Sequence, residues 1–439
     1  MTETRFTLHA DRRAAGQSFA KITENARAAA AEAPDCFVSL LPEDVIAKQV
    51  DWVAEALDQG KDMPLAGLTF CVKDNIDVAR LASTGNCPGY GSIASENAPL
   101  VQQALDAGAV LIGKNTMDQF ATGLNGTRSP DPICRNAINP AIIPGGSSSG
   151  SAVAVAKGIC DFSFGSDTGG SGRVPAAANG IVGLKPTPGL LSGRGLVYCN
   201  RSFDVVPIFT KTVEDAGHVF ETLMGPDPLD PFAYHGAVAG PQVGLHFAIP
   251  DRLDHFGDEV AEAAHIANLA YLADHGATFT EIDFTPFAEA GHLVFGSALV
   301  AERLIDYGDF ISKRPDAVIP AVAQAINAGR NYTAQDAFEV MHRLAELKLK
   351  CNAILSSVDA LVLPTIPRLF TVAEMLADPM PLNTIMGTYT YFANPMGHAA
   401  IAIPGTKRSD GLPSSMCFVG ASGHDLGMIA LGKRFQHLL

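Results

Sequence analysis

The sequence predicts a single large α/β domain, a central sheet with helices on both of its faces. Three observations carry that expectation. Of the 439 residues, 47% are hydrophobic and 18% charged, which supplies a large buried core and leaves no composition for extended disorder. From Pro64 onward strand and helix signals alternate, the pattern of a sheet packed between helices. No repeat, low-complexity tract or long linker divides the chain, so one continuous domain over 61–439 follows a helical arm over 1–60.

The elements follow in order. Residues 26–33 are alanine-rich, and after Pro42 an amphipathic run puts Val45, Ile46, Val50, Val53 and Leu57 on one face before Gly60 ends it. A strand is expected over 67–72, a helix over 99–107, a strand over 110–112 and a helix over 117–122. Small apolar residues after Ser149 predict a packed helix over 149–155, then a strand over 161–164 and a further helix just after Ser171. In the second half, strands are expected over 243–248, 278–282 and 360–363, the last closed by Pro364. Helices are expected over 259–273, 287–307 and 334–355.

A formal charge of −15 disfavours nucleic acid or an anionic membrane as the main partner, although a local cationic pocket remains compatible with it. The eight cysteines are scattered without a CxxC pair or a histidine at ligand spacing, which reads as reduced thiols and no metal. The opening Met-Thr-Glu-Thr-Arg-Phe lacks the pattern of a secretory leader, and no apolar stretch reaches the roughly 18 residues of a membrane span. A cytoplasmic enzyme without a cofactor, acting on a small molecule as a homodimer, is the expectation.

The chemistry concentrates in three segments. Lys73 ends an apolar run, in Phe70-Cys71-Val72-Lys73-Asp74-Asn75. A glycine-serine stretch covers Gly145-Gly146-Ser147-Ser148-Ser149-Gly150, and a second covers Asp167-Thr168-Gly169-Gly170-Ser171-Gly172-Arg173. A serine nucleophile needs a base, yet no histidine lies between His9 and His218. Desolvation can keep a lysine neutral, which makes Lys73 the candidate base. The second stretch follows a strand signal and opens a helix, so successive N–H groups can converge on an oxyanion. A phosphate loop is the alternative, but no Gly-Lys-Ser/Thr accompanies it. The Gly-x-Ser-x-Gly pattern at 146–150 suits a nucleophile elbow poorly, because Pro144 precedes it.

Val-Lys-Asp-Asn around Lys73, Gly-Gly-Ser-Ser-Ser-Gly-Ser-Ala at 145–152 and Asp-Thr-Gly-Gly-Ser-Gly-Arg-Val-Pro-Ala at 167–176 resemble the amidase signature family, in order, from about residue 40 to the C-terminus. The resemblance implies a mixed sheet, Ser171 as nucleophile, Ser147 as a bridging serine on a cis peptide, and Lys73 as the terminal base. It also implies an oxyanion hole of the Thr168, Gly169, Gly170 and Ser171 amides, braced by Asp167 and Arg173. Within the family, segments 118–130, 181–187, 300–303 and 387–390 resemble the amidase domain of allophanate hydrolases. That likeness implies a role in nitrogen metabolism and urea degradation, with Gly123 lining the pocket and Arg303 gripping a substrate carboxylate, a task suited to a planar guanidinium.

Two departures stand out. The family's substrate-binding tyrosine falls on Phe295, which has no hydroxyl to donate, and the chain stops where longer allophanate hydrolases carry another domain. Three activities fit: hydrolysis of an allophanate-like amide, a broad aliphatic or aryl amidase, and a glutaminase-type component of an amidotransferase complex.

Overall fold

A computed structural model describes residues 18–130 and 132–436. Its frame is one mixed sheet of eleven strands: β1 (Phe37–Leu40), β2 (Thr69–Lys73), β3 (Val110–Asn115), β4 (Phe162–Phe164), β5 (Val182–Lys185), β6 (Ile208–Thr210), β7 (His246–Pro250), β8 (Thr278–Ile282), β9 (Ala360–Pro364), β10 (Ala399–Pro404) and β11 (Ser415–Gly420). They lie in the order β1-β3-β2-β4-β6-β5-β10-β11-β9-β7-β8. Parallel pairing joins β2 to β3 and β4, and β7 to β8 and β9; the remaining pairs are antiparallel.

The central strands are buried along their whole length, including the polar ends of β2 and β3 at Lys73, Lys114 and Asn115. Phe70 of β2 stacks on Phe162 of β4 with ring centroids 5.1 Å apart, fixing those strands side by side. Of the arm expected over 1–60, residues 1–17 lie outside the described residues. The rest forms helices Phe19–Ala31 and Glu43–Asp58 with the edge strand β1 between them. Ile46, Val50 and Val53 are buried on the second helix, the face that the apolar spacing selects.

Two expected helices differ in a way that shapes the site. Residues 117–122 form a single turn of 3-10 helix, Gln119–Ala121, with Phe120 and Ala121 at φ of 52° and 53°. Here the Phe120 amide donates to Gly85 O, and the Asp118 carboxylate collects the Gly126 and Arg128 amides, so local partners replace helical ones. The helix expected over 287–307 is broken at Ser297, which is extended and caps the next turn through its hydroxyl. Thr285–Gly296 ends there, and a new helix, Arg303–Lys313, begins after a 3-10 segment. Among the described residues no helix is long and apolar enough to cross a membrane, and the eight cysteines are buried and free of disulfides.

Candidate active site

Strand β2 delivers Lys73 from the sheet into the interior, where its side chain is fully buried. Val72 pairs in register with Phe164, so the chain leaving β4 passes beside the lysine. Lys73 Nζ donates to Ser166 Oγ at 2.8 Å and to Ser147 Oγ at 2.7 Å. Asn75 Nδ2 donates to the same Ser166 hydroxyl at 3.1 Å, giving the Lys-Asp-Asn sequence a second contact with this turn.

Ser147 sits in the loop ahead of helix Ser149–Ala156, and its peptide bond to Gly146 is cis. A side chain on Gly146 would collide with Asp118 Oδ2, so only glycine fits there. The helix that follows is buried from Ser149 to Val155 and packs against β2, β3, β4 and β6, which explains its small, apolar sequence. Ser148 Oγ donates to Ser166 O at 3.1 Å and Ser151 Oγ to Phe164 O at 3.2 Å, tying this loop to the β4 exit. With the two loops fixed together, Ser147 Oγ donates to Ser171 Oγ at 2.9 Å. Lys73 Nζ, Ser147 Oγ and Ser171 Oγ therefore lie on one unbroken chain of short hydrogen bonds.

The loop bearing Ser171 is held from below. The Asp167 carboxylate accepts from Gly172 N at 2.9 Å and from Arg173 Nε and Nη2, both at 3.1 Å. Arg173 also donates to Thr390 O and to Asn394 Oδ1, each at 2.9 Å. Burial alone would raise the Asp167 carboxyl, but the Arg173 guanidinium and these donors hold it below the ordinary carboxylate range. Gly170 N–H, expected among the oxyanion donors, is turned to Asp167 Oδ1 at 2.6 Å. The amides of Thr168, Gly169 and Ser171 donate to no group among the described residues. Thr390 Oγ1 donates to Gly169 O at 2.8 Å and so orients the Gly169–Gly170 peptide.

Desolvation is the main force on Lys73 and brings it down to about 7, while the buried carboxylates of Asp204 and Asp118 pull the other way. Burial pushes Asp204 up to about 6 although Thr168 Oγ1 donates to it at 2.5 Å and Cys199 N at 2.6 Å.

Ser171 opens onto a cavity of about 200 Å³ lined by, among others, Gly123, Arg128, Thr168, Phe295, Arg303 and Tyr391. Arg303 is 2% exposed. Its Nε donates to Asn200 Oδ1 at 3.0 Å, and its terminal nitrogens donate to no described residue. Its guanidinium lies over the Phe295 ring, 4.9 Å from the centroid. Phe295 thus supports the cation instead of donating a hydrogen bond. Arg128 lies in the 118–130 segment that resembles the allophanate hydrolases, whereas Tyr391 has no signal in the sequence pattern. Arg128 reaches the cavity with its guanidinium held by Thr122 O and Pro379 O. Tyr391 packs edge-on against Phe295 at 4.5 Å, bringing a phenol to a pocket whose residue 295 lacks one. A larger hollow, about 460 Å³, lies between helices Phe19–Ala31 and Glu43–Asp58, and no serine–lysine chain lines it.

Residues 22–428 match the family model described as Amidase. The chain belongs to the amidase signature family. Family membership is matched by likeness to individual proteins. Urea amidolyase of Saccharomyces cerevisiae is 34% identical over 407 residues, which cover 91% of this chain and 22% of the yeast protein. The chain therefore spans about 22% of the length of the curated urea amidolyases it matches. A glutamyl-tRNA(Gln) amidotransferase component of Geobacillus thermodenitrificans is 32% identical over 429 residues, covering 89% of this chain and 87% of that protein. Among solved structures, Kluyveromyces lactis allophanate hydrolase superimposes with a TM-score of 0.90 at 34% identity, covering 95% of this chain and 70% of that one. The chain is an amidase signature amidohydrolase, acting on amide C–N bonds and closely related to the allophanate hydrolase domain.

Proposed function

We propose that this chain hydrolyses a small, carboxylate-bearing amide of the allophanate kind and releases ammonia through an acyl-enzyme. The observation that carries the reading is one cavity lined both by Ser171, the outer end of the Lys73–Ser147–Ser171 chain, and by Arg303, whose buried Nη2 has no partner among the described residues. With Lys73 neutral, its lone pair accepts the Ser147 proton as Ser147 takes that of Ser171. The Ser171 oxygen bonds to the amide carbon, and the oxyanion falls to the amides of Thr168, Gly169 and Ser171, the donors left free when Asp167 engages Gly170. The relay returns the proton to the leaving nitrogen as the C–N bond breaks. Water, deprotonated by the same route, then releases the acyl group.

Size and charge support the substrate class. The Tyr391 and Phe295 rings close on Gly169, where an added Cβ would meet them at 2.8 and 3.0 Å, so only a narrow acyl group reaches Ser171. The cavity's lining contains arginines at 128 and 303 and no carboxylate. An anion is favoured there, whereas the α-ammonium of glutamine would find no charged partner. The likeness to a glutamyl-tRNA(Gln) amidotransferase component supports the second reading, a glutaminase dependent on a partner chain.

The test is ammonia release from the purified protein on allophanate, malonamate, glutamine and uncharged aliphatic amides, with wild type beside Arg303→Ala and Phe295→Tyr. Carboxylate-bearing amides should lead by at least about tenfold in kcat/KM, and Arg303→Ala should abolish that lead, as expected for a hydrogen bond to a charged group. Phe295→Tyr should alter the ranking among anionic substrates. Equal rates on charged and uncharged amides would replace this reading by a broad amidase, and glutamine turnover only with a partner would replace it by the second.

A further inference from the structure

The groups proposed to hold the two ends of the substrate are joined through the protein by a short buried path. Arg303 Nε donates to Asn200 Oδ1 at 3.0 Å. The Asn200 amide donates to Asp204 Oδ1 at 3.3 Å, and Thr168 Oγ1 donates to the same oxygen at 2.5 Å. The turn between them is closed on itself, since the amides of Phe203 and Asp204 both donate to Asn200 O, at 3.0 and 2.9 Å. Asn200 is further fixed by donating Nδ2 to Leu299 O at 2.9 Å. All four members are shielded from solvent: Asn200 is 0% exposed, Thr168 and Arg303 2%, Asp204 9%. In such a low-dielectric setting a hydrogen-bonded network keeps its geometry, because each member would be costly to leave unpaired.

The function of Asp204 in this path is geometric. It collects three donors: Cys199 N, Asn200 N and the Thr168 hydroxyl. That hydroxyl is the side-chain tether of the peptide whose N–H, with that of Gly169, is available to an oxyanion. A carboxylate arriving at Arg303 loads the far end of the same rigid turn. We infer that Asn200 and Asp204 are positioning residues that hold the Thr168–Gly169 amides in register with Arg303, so that a substrate carboxylate raises kcat as well as lowering KM. This rests on the carboxylate reading above and goes beyond it. Binding energy from a non-reacting group accelerates chemistry only where it is transmitted to the transition state. Displacing the oxyanion donors by about 1 Å is enough to cost about 100-fold.

The experiment uses matched pairs that differ in one group: allophanate against biuret, and malonamate against malonamide. kcat and KM are measured for wild type, Asn200→Ala, Arg303→Lys, Thr168→Val and Thr168→Ser, with thermal melts beside them. In wild type the carboxylate member should exceed its neutral partner by about tenfold in kcat. Asn200→Ala should bring that kcat ratio towards one while keeping most of the KM preference. Arg303→Lys retains the charge and loses the Nε donor, so it should give the same split without touching the turn. Thr168→Val should lower kcat on both members, and Thr168→Ser should restore it. A wild-type preference confined to KM, or an Asn200→Ala loss equal on both members, overturns the inference and leaves the carboxylate reading standing. No wild-type preference in either constant removes that reading, and the inference with it.

Discussion

Replacing Lys73 by methionine should separate activity from stability, in opposite directions. Lys73 is completely buried, and desolvation holds its amine at about 7 against an ordinary 10.5. An unfolded chain restores the ordinary value, so the folded state gives up on the order of 4 kcal/mol at pH 7 to keep this group inside. Methionine fills similar volume without that penalty. It forfeits the bonds to Ser147 and Ser166, at about 1 kcal/mol each, but Ser166 keeps its Asn75 donor and Ser147 its Ser171 contact. The variant should therefore melt higher than wild type at pH 7. The sign of the pH dependence follows from the depressed value. Between about 7 and 10.5 the unfolded chain binds the extra proton, so wild-type stability climbs with pH and the variant's lead shrinks across that window. Activity should fall about 10²–10⁴-fold, the contribution of a general base. In wild type kcat/KM should decline as pH drops below about 7, where the amine becomes protonated. Melting curves from pH 6 to 9.5 and ammonia release on one substrate make the comparison. Methionine at position 73 with turnover within tenfold of wild type, or a destabilisation independent of pH, would refute the reasoning.

Two further substitutions test the supports. Arg173→Lys cannot reproduce the fork that meets Asp167 while reaching Thr390 O and Asn394, so it should cost about 3–5 kcal/mol in urea unfolding and most of kcat. Gly387→Ala should cost about 1–3 kcal/mol and raise KM, because a Cβ at 387 would sit against the Tyr391 ring and push it towards the cavity; an unchanged KM with an unchanged melt would dismiss that contact.

Much of the fold was readable where a single segment determines its own structure. Helix Ala334–Leu355 begins with a capping box at Thr333 and Asp336, and helix Glu259–Asp274 lies where its apolar and alanine content puts it. Strands β10 and β11 were not read, although they sit near the middle of the sheet. Ala-Ala-Ile-Ala-Ile-Pro has no alternation because both faces are covered, and it lies between the neighbouring β11 and β5, the latter distant in sequence. β6 is three residues long, too short to show any period. The same division holds at the site. Lys73, Ser147 and Ser171 lie in glycine-rich or strand-ending contexts that announce themselves, and the fold brings them within 2.9 Å along one chain. Arg128 lies in a segment legible only through its family resemblance, and Tyr391, Asn200 and Asp204 lie in ordinary local sequence. What brings Arg128 and Tyr391 to the cavity, and Asn200 and Asp204 behind it, is the break at Ser297, the left-handed pair at Phe120 and Ala121, and the turn at 199–204, all products of tertiary contacts.

The arrangement also accounts for how a lysine can be neutral among so many acids. Asp118, Asp167 and Asp204 are all buried and act on Lys73 electrostatically. Its hydrogen bonds nevertheless go to the hydroxyls of Ser147 and Ser166 and the carbonyl of Ser166, with no carboxylate in reach. Each acid is occupied elsewhere: Asp118 by the amides of Gly126 and Arg128, Asp167 by Arg173 and two glycine amides, Asp204 by Thr168 and two amides. Saturating these carboxylates keeps them from forming an ion pair that would hold the proton on the amine. Arg173 therefore has a second effect beyond bracing the loop. Without its charge, Asp167 would be left as a less compensated anion near Lys73, and the lysine's proton affinity would rise. A variant such as Arg173→Met should then move the acid limb of kcat/KM to higher pH, whereas a purely structural brace would lower the plateau and leave the limb where it was.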